Sequence, residues 1–272
     1  MTRIECHQLA PRVGELAANQ HLALAAIRSS ASAGVDVIVL PELVTSGYVF
    51  SSAAEAAQLA VGRDDPMFTS WAEAAGDSLV IAGFAERAGD GLLYNSAVAL
   101  DGTGIRAVYR KIHLWDSEKL VFTPGGDAPP ILDTRHGRIG ILICYDLEFP
   151  ELTRAVALAG ADLIAAPTNW PLTERPAGER AAEVLNCMVT ARVNHLAIAC
   201  CDRTGTDRGQ RWTAGTTIID QDGWPVATAD DAGVAGAALD LLRSRDKTLT
   251  PLCDAFGDRR PELYARIFPL QH

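Results

Sequence analysis

The chain has 272 residues, 48% of them hydrophobic, and its 34 acidic against 24 basic side chains give a formal net charge of −10 at pH 7. A chain of this length can bury a large core, and its acidic balance, without a basic stripe or polybasic segment, argues against binding to nucleic acid or to an anionic membrane. No apolar run of about twenty residues is present and the N-terminus lacks an apolar core behind positive charge, so neither membrane insertion nor export is expected.

The first part of the chain has the hydrophobic patterns of alternating strands and helices. Residues 3–9 are predicted to form a strand, and residues 14–33 carry the apolar stripe of a helix that ends at Gly34. The aliphatic run VDVIVLPE, residues 35–42, predicts a strand covered on both faces. Two helices and then three strands follow, at residues 52–61, 66–75, 78–86, 94–101 and 104–111. Gly- and Asp-containing turns join the last three strands, which predicts antiparallel neighbours.

The second part of the chain repeats this alternation. A β-prone run at residues 139–143 precedes Cys144, and Phe149-Pro150-Glu151 starts a helical pattern with Pro in its first turn. The later elements are predicted as a strand at 161–170, a helix at 177–194 and strands at 196–202, 211–220 and 235–241. Residues from about 250 onward are predicted to form an extended C-terminal tail. Because βαβ units alternate with antiparallel segments, we expect an α/β sandwich of layered sheets with helices outside.

The six cysteines have no spacing typical of a disulfide framework or a zinc site, and we interpret them as reduced thiols of a cytoplasmic protein. The six histidines also lack metal-ligand spacing, and no Gly-rich stretch has the context of a phosphate loop. We therefore expect neither a metal nor a cofactor. No linker, repeat or low-complexity tract divides the chain, which predicts a single domain over residues 1–272.

Cys144 lies at the predicted corner between a buried strand and a helix. A thiol at this corner has access at the sheet edge, and the partial positive charge of a helix N-terminus favours the thiolate. The alternative is a buried cysteine that fills a small apolar gap, which is the commoner role of a free cysteine. This stretch alone leaves both interpretations open.

Two other predicted strands also end in charged residues, Glu42 after VDVIVLP and Lys111 after GIRAVYR. In α/β sheets, ligand sites collect at strand ends, so Glu42, Lys111 and Cys144 are candidates for one site. Taken singly, each has a structural alternative. Glu42 could cap a helix or lie on the surface, and Lys111 could extend its amine into solvent.

Three segments together resemble one known family. PELVTSGY, YRKIHLWDSEKLVFTPG and CYDLEFPEL are similar, in order and spacing, to the sequence blocks of the nitrilase superfamily of carbon-nitrogen hydrolases, and the similarity extends from residue 3 to about residue 240. The resemblance implies an αββα sandwich that assembles as homodimers or larger homo-oligomers. It implies a catalytic triad of Glu42, Lys111 and Cys144, with Glu118 as an accessory glutamate. CYDLEFPE is also similar to the aliphatic amidase branch, which includes aminopentanamidase and stereoselective amidases.

These residue types suit the cleavage of an amide. The attack of sulfur on a poor electrophile needs donors already placed for the developing oxyanion, and Lys111 and the backbone N–H of Tyr145 are the candidates. The positive charge of Lys111 is also expected to shift Cys144 towards its thiolate form. Glu42 would take the thiol proton, deliver it to ammonia and then activate water. Glu118 is expected to raise the pKa of one carboxylate of the pair, and to position Glu42 or the amide nitrogen.

Position 148 bears on the choice of substrate. Carbamoylases of D-amino acids in the family carry Arg there, whereas Glu148 in this chain would repel an acidic substrate and could pair with an ammonium group. The alternative is that Glu148 caps the following helix or pairs with Arg154. Further candidate pocket residues lie in loops beyond the predicted strand ends, and they are Tyr48, Trp115, Tyr145, Asn169 and Trp170.

The sequence thus predicts an amidase that converts a small primary amide and water to an acid and ammonia through a cysteine thioester. A nitrile or an N-carbamoyl amine is the nearest rival substrate. A catalytically silent binding partner that kept the fold is a remoter alternative, and the complete triad argues against it. The histidines would also allow a Cys-His dyad, but the family pattern favours His113 as a residue that orients the lysine loop.

Overall fold

The computed structural model of the chain describes residues 1–267. Its strands are β1 (Thr2–His7), β2 (Val37–Val39), β3 (Leu79–Arg87), β4 (Leu93–Asp101), β5 (Gly104–Arg110), β6 (Ile131–Thr134), β7 (Gly137–Ile141), β8 (Leu163–Pro167), β9 (Ala197–Cys201), β10 (Thr206–Asp207), β11 (Gln210–Arg211), β12 (Thr217–Ile219), β13 (Pro225–Thr228), β14 (Val234–Leu239), β15 (Thr248–Thr250) and β16 (Cys253–Asp254). Its α-helices are α1 (Leu16–Ser32), α2 (Ala53–Leu59), α3 (Pro66–Ala75), α4 (Pro150–Leu158), α5 (Ala182–Asn194) and α6 (Pro261–Ile267). Short 3-10 turns lie at Asp116–Leu120, Cys144–Glu148 and Leu241–Arg245.

Local sequence explains where several helices begin and end. The Ser52 side chain accepts a hydrogen bond from the backbone N–H of Glu55 at the start of α2, and Asp65 caps α3 in the same way, just before Pro66. Helix α1 is followed by Gly34, whose φ of 73° is readily adopted only by glycine. These signals agree with the predicted helices to within a few residues.

Two six-stranded sheets form the centre of the fold. The first has the spatial order β14-β1-β2-β3-β4-β5, and the second has the order β13-β12-β9-β8-β7-β6. In each sheet three central strands are parallel, β1, β2 and β3 in one and β7, β8 and β9 in the other, while the outer strands pair antiparallel. The predicted antiparallel meander of β3, β4 and β5 is confirmed.

The sheets pack face to face between two layers of helices. Val37 and Val39 of β2 belong to the core shared with the second sheet, whereas Ile38 packs against α1 and α3 on the opposite face. The second sheet is covered on its outer face by α4 and α5, through residues such as Val156 and Val184. This alternation explains why the aliphatic run of β2 is continuous, and the α/β sandwich with helices outside is confirmed.

Some predicted elements differ from the structure. The strand predicted at 211–220 is divided, because Ala214 has a φ of 53° and breaks the extended backbone between β11 and β12. Strands β6 and β13 are absent from the prediction, since both are only four residues long and partly exposed, and so carry no strong apolar alternation. The helix predicted from residue 177 begins at Ala182.

The C-terminal segment is more structured than the predicted extended tail. Strands β15 and β16 form a small antiparallel pair, and α6 follows it. The Phe256 ring between them lies 4.6 Å from Lys247 Nζ and 5.2 Å from the Arg154 guanidinium, contacts that sequence patterns do not reveal. The last residues of the predicted tail, 268–272, lie outside the described residues. Among residues 1–267, no helix combines the length and apolar character needed to cross a membrane.

Candidate active site

Glu42 is held on the loop that follows β2. Its backbone oxygen accepts a hydrogen bond from Asn169 Nδ2 at 2.8 Å, which ties the loop to the end of β8 in the opposite sheet. Gly83 on the neighbouring strand permits the close approach of the Glu42 backbone, because a Cβ added at Gly83 would lie 2.5 Å from Glu42 Cα. The next residue, Leu43, has a φ of 49°, so the backbone is locally strained and turns sharply at this point.

The Glu42 carboxylate and the Lys111 ammonium form a buried ion pair. Lys111 Nζ donates to Glu42 Oε1 at 2.7 Å and to both carboxylate oxygens of Glu118 at 2.9 Å. Asn95 Nδ2 also donates to Glu42 Oε1, at 2.7 Å. Glu42 and Lys111 are both 0% exposed. Glu42 Oε2 is buried and has no hydrogen-bond partner among the described residues, so one oxygen of this carboxylate is available to a reacting group.

Glu118 has hydrogen bonds on both of its oxygens. Besides Lys111, its Oε1 accepts from the Tyr48 hydroxyl at 2.6 Å, and its Oε2 accepts from the backbone N–H of Trp115 at 3.0 Å. Burial and the negative charges of Glu118 and Glu42 raise the pKa of Tyr48, which therefore stays a hydrogen-bond donor. These contacts fix Glu118 against the lysine.

Cys144 begins the 3-10 turn that follows β7. It is 6% exposed, and its φ of 47° lies in the left-handed region that few residues other than glycine adopt. Strained backbone of this kind concentrates at functional sites and persists only where its surroundings hold it. Helix α4 starts later, at Pro150, so the thiol precedes a short turn rather than a full α-helix.

Asp146 holds this turn in place. Its carboxylate accepts from the Tyr109 hydroxyl at 2.8 Å, from the Ile143 N–H at 3.0 Å, and from the backbone N–H of His113 at 3.1 Å. His113 Nδ1 lies 3.0 Å from the same carboxylate, and its ring stacks on Phe149 with ring centres 3.6 Å apart. The prediction that His113 orients the lysine loop agrees with these contacts, which join that loop to the cysteine turn.

Burial controls the pKa of each charged member of the cluster. Desolvation raises the pKa of Glu42 to about 7; the positive charge of Lys111 opposes this shift and the negative charge of Glu118 adds to it. The predicted rise in the pKa of one carboxylate therefore agrees with the structure. Burial also works against the charged form of Lys111, but the charges of Glu118 and Glu42 outweigh it and raise the Lys111 pKa, so the ammonium persists.

The positive charge of Lys111 lowers the pKa of the Cys144 thiol, in the predicted direction, but other contributions outweigh it. Complete burial and the negative charge of Glu42 raise the pKa of the thiol well above its usual value, and the opposing charge of Lys111 does not compensate. The turn after Cys144 is also too short to provide a strong helix dipole. Burial therefore favours the neutral thiol over the thiolate at Cys144.

Two cavities adjoin the cluster. The first, of about 210 Å³, is lined by Trp115, Cys144, Tyr145, Glu148, Asn169, Trp170, Pro171, Ala182 and Glu183. The second, of about 330 Å³, contains Glu118 and Tyr48 in its wall and shares Trp115 and Pro171 with the first. Every candidate pocket residue predicted from the sequence thus lines one of these cavities.

The alternative interpretation of Glu148, as a partner of Arg154, is wrong. Arg154 Nη2 instead donates to the Val193 carbonyl at 2.9 Å, and Glu148 has no ion pair within residues 1–267. Sequence reasoning missed Asn95, Asp146 and Glu183. A polar Asn in the largely apolar strand β4 was an available signal, whereas nothing local distinguishes Glu183 from a surface glutamate.

No group of three His, Cys, Asp or Glu side chains in the described part of the chain is arranged to hold a metal ion. The two carboxylates of the cluster, Glu42 and Glu118, are instead paired with the Lys111 ammonium.

Comparison with known proteins agrees with this architecture. The family model described as carbon-nitrogen hydrolase matches residues 3–246. A protein named nitrilase from Pyrococcus abyssi is 34% identical over 98% of this chain and 100% of its own length. An (R)-stereoselective amidase from a Pseudomonas species is 36% identical over 80% of this chain and 77% of its own length. Among solved structures, a mutant amidase from Nesterenkonia sp. AN1, with acrylamide added to its active-site cysteine, has a TM-score of 0.81 at 24% identity and covers 98% of this chain and 100% of that one.

The fold is therefore that of the α/β sandwich hydrolases, with two facing sheets between helical layers. The chain belongs to the carbon-nitrogen hydrolase family.

Proposed function

We propose that the protein is an amidase that hydrolyses a small primary amide to a carboxylic acid and ammonia through a thioester on Cys144. The observation that carries the proposal is the buried ion pair between Lys111 and Glu42, in which one Glu42 oxygen has no partner. The charges of this pair act on the Cys144 thiol, which lines the adjoining cavity. Each member of this arrangement has a chemical task in acyl transfer.

The first step is attack by sulfur. Because burial favours the neutral thiol, the unpartnered Oε2 of Glu42 takes its proton as the sulfur bonds to the carbonyl carbon. A base whose pKa is about 7 is well matched to proton transfer near neutral pH. The protonated Glu42 then gives the proton to the departing nitrogen, and ammonia leaves.

Lys111 stabilises the oxyanion that forms in this step. The ammonium has three hydrogens and contacts three carboxylate oxygens, two of which belong to Glu118. In the proposed complex one hydrogen is shared by both Glu118 oxygens, one stays on Glu42, and the third turns to the substrate oxygen. The backbone N–H of Tyr145, at the start of the strained turn, is the second donor. Glu118 acts on Lys111 rather than on the substrate, since both of its oxygens are engaged by Lys111, Tyr48 and the Trp115 backbone.

Hydrolysis of the thioester completes the cycle. Glu42, again a carboxylate, removes a proton from water as the water oxygen attacks the thioester carbon, and the sulfur leaves and regains its proton. The same base and the same oxyanion donors serve both half-reactions. No residue outside the cluster is needed for proton transfer.

The test is ammonia release from a panel of primary amides, nitriles and N-carbamoyl amines, measured with the wild-type protein and with Cys144→Ala. We expect turnover of at least one small amide and its loss in Cys144→Ala. Cys253→Ala is the matched control, because this thiol is exposed on β16 and should leave turnover unchanged. Release from nitriles alone would assign the protein to nitrile hydrolysis, and no release from any compound would favour a silent binding role.

We also propose assembly as a homodimer or larger homo-oligomer through an apolar face of α5. Leu185, Val189 and Val193 are exposed on this helix, and Val189 shares a surface groove with the exposed Trp224. Exposed apolar side chains grouped in this way are typical of protein interfaces. Light scattering should give a mass of at least two chains, and Val189→Glu should reduce it.

We propose a cytoplasmic location, on the support of the cysteines. All six are unpaired thiols in the described residues, and Cys253 is exposed. A reducing compartment preserves such thiols. Fractionation of producing cells should recover the protein with cytoplasmic markers.

A further inference from the structure

The cavity that contains Cys144 also contains two carboxylates without a cation. Glu148 ends the cysteine turn and is exposed, and the half-buried Glu183 lies in the first turn of α5. Within residues 1–267, neither side chain has an ion pair, and Glu183 Oε2 is buried without any hydrogen-bond partner. Partial burial and the negative charge of Glu183 together raise the pKa of Glu148.

No basic side chain among residues 1–267 forms an ion pair with Glu148 or Glu183, and the pKa of Glu148 responds to burial and to Glu183 alone. Arg154 is directed to the Val193 carbonyl and the Phe256 ring. Arg175 and Arg180 line a different cavity, beside residues 213–217. Two like charges that share a cavity repel each other, and burying a carboxylate without a partner is costly. A cation entering the cavity would remove both costs.

The remaining walls also suit a cation on an apolar stem. Trp115, Tyr145 and Trp170 line the cavity, and aromatic faces attract alkylammonium groups while packing against methylene groups. Asn169 is 1% exposed, lines the same cavity, and its Oδ1 has no hydrogen-bond partner among the described residues. It is therefore an additional acceptor for N–H groups of the substrate.

We infer that Glu148 and Glu183 together bind a cationic group of the substrate, so that the preferred substrates are small primary amides that carry an alkylammonium group. This inference rests on the proposed amidase function. In such a complex, sulfur faces the carboxamide carbon, the methylene stem lies between the aromatic rings, and the ammonium lies between the two carboxylates. A substrate carboxylate at the same place would meet two negative charges.

The experiment compares amides of matched shape and different charge: 4-aminobutanamide against pentanamide, β-alaninamide against butanamide, and succinamate as the acidic amide. For the wild-type protein, kcat/KM should be at least tenfold higher for the ammonium amide of the better pair than for its neutral partner, and lowest for succinamate. Glu148→Gln and Glu183→Gln should each lower the ratio of ammonium to neutral kcat/KM about tenfold, mainly through KM. Glu183→Asp, which keeps the charge, should restore part of the ratio.

Glu151→Gln is the matched control, since Glu151 is exposed on α4 and lines neither cavity, and it should leave the ratio unchanged. Calorimetry of the same amides with Cys144→Ala measures their affinity for the proposed cation site in a protein that cannot hydrolyse them. Wild-type turnover with equal ratios in all variants would overturn the cation inference and leave the amidase function standing. Preferential binding of the ammonium amide without turnover would sustain the inference and contradict the amidase function.

Discussion

Replacing Asp146 by Asn changes one atom of the carboxylate that joins the lysine loop to the cysteine turn. Oδ2 accepts from the Tyr109 hydroxyl and the Ile143 N–H, and Oδ1 is close to both the backbone N–H and Nδ1 of His113. An Asn side chain presents an NH2 donor at one of these two positions. In either orientation of the Asn side chain, its NH2 group faces N–H or O–H donors that the Asp146 carboxylate accepts from in the wild-type protein.

The cost follows from counting those donors. If the NH2 replaces Oδ2, the Ile143 N–H is left unsatisfied while the Tyr109 hydroxyl can rotate to accept. If it replaces Oδ1, the backbone N–H of His113 is left unsatisfied. One buried unsatisfied group costs about 1–3 kcal/mol, and loss of the charge weakens the remaining hydrogen bonds, so we expect the free energy of unfolding to fall by about 2–4 kcal/mol. The displaced turn should also lower kcat, because Cys144 lies in it.

Urea denaturation followed by circular dichroism measures the change in stability, and ammonia release measures kcat. Asp133→Asn is the matched control: its side chain is 83% exposed and its ion pair with Arg138 is on the surface, so it should change stability by less than about 0.5 kcal/mol. An Asp146→Asn protein as stable as wild type and equally active would refute the role of this network.

Two further predictions concern Glu42. Because it must be unprotonated to accept the thiol proton and its pKa is raised to about 7, kcat/KM should fall as the pH drops below about 7. Glu118→Gln removes a negative charge that raises this pKa, so the acidic limb should move to lower pH, and an unmoved limb would contradict the coupling. Gly83→Ala would place a methyl group 2.5 Å from the Glu42 backbone and should cost about 1–3 kcal/mol of stability and at least tenfold in turnover. Gly89→Ala, where a Cβ meets nothing within 4 Å, should be neutral by the same two measurements.

The sequence predicted the charged cluster because its members follow recognisable strand ends. Glu42, Lys111 and Cys144 each come at or just after the end of an apolar, β-prone run, and strands of facing sheets bring such ends together. Their family blocks then assigned the chemistry. The same hydrophobic patterns predicted most strands of both sheets and most of the helices that cover them.

Other features depend on depth of burial and on distant contacts, which a sequence pattern does not contain. The effect of Lys111 on the Cys144 pKa has the predicted direction, but the sequence does not show that Cys144 is buried beside Glu42, where desolvation outweighs the charge of Lys111. Asn95 and Asp146 act through partners far away in the chain. Glu183 joins the cavity only because α5 packs beside the cysteine turn, so its local sequence gives no indication of this position.

The most direct test of the account is the mass of the protein during turnover. When a reaction with a hydrolysed amide is quenched in the steady state, intact mass spectrometry should detect the acyl group of the substrate, and peptide mapping should locate it on Cys144. The Cys144→Ala protein should carry no adduct and release no ammonia. Ammonia release at the wild-type rate by Cys144→Ala, or an acyl group on any other residue, would contradict the proposed covalent mechanism.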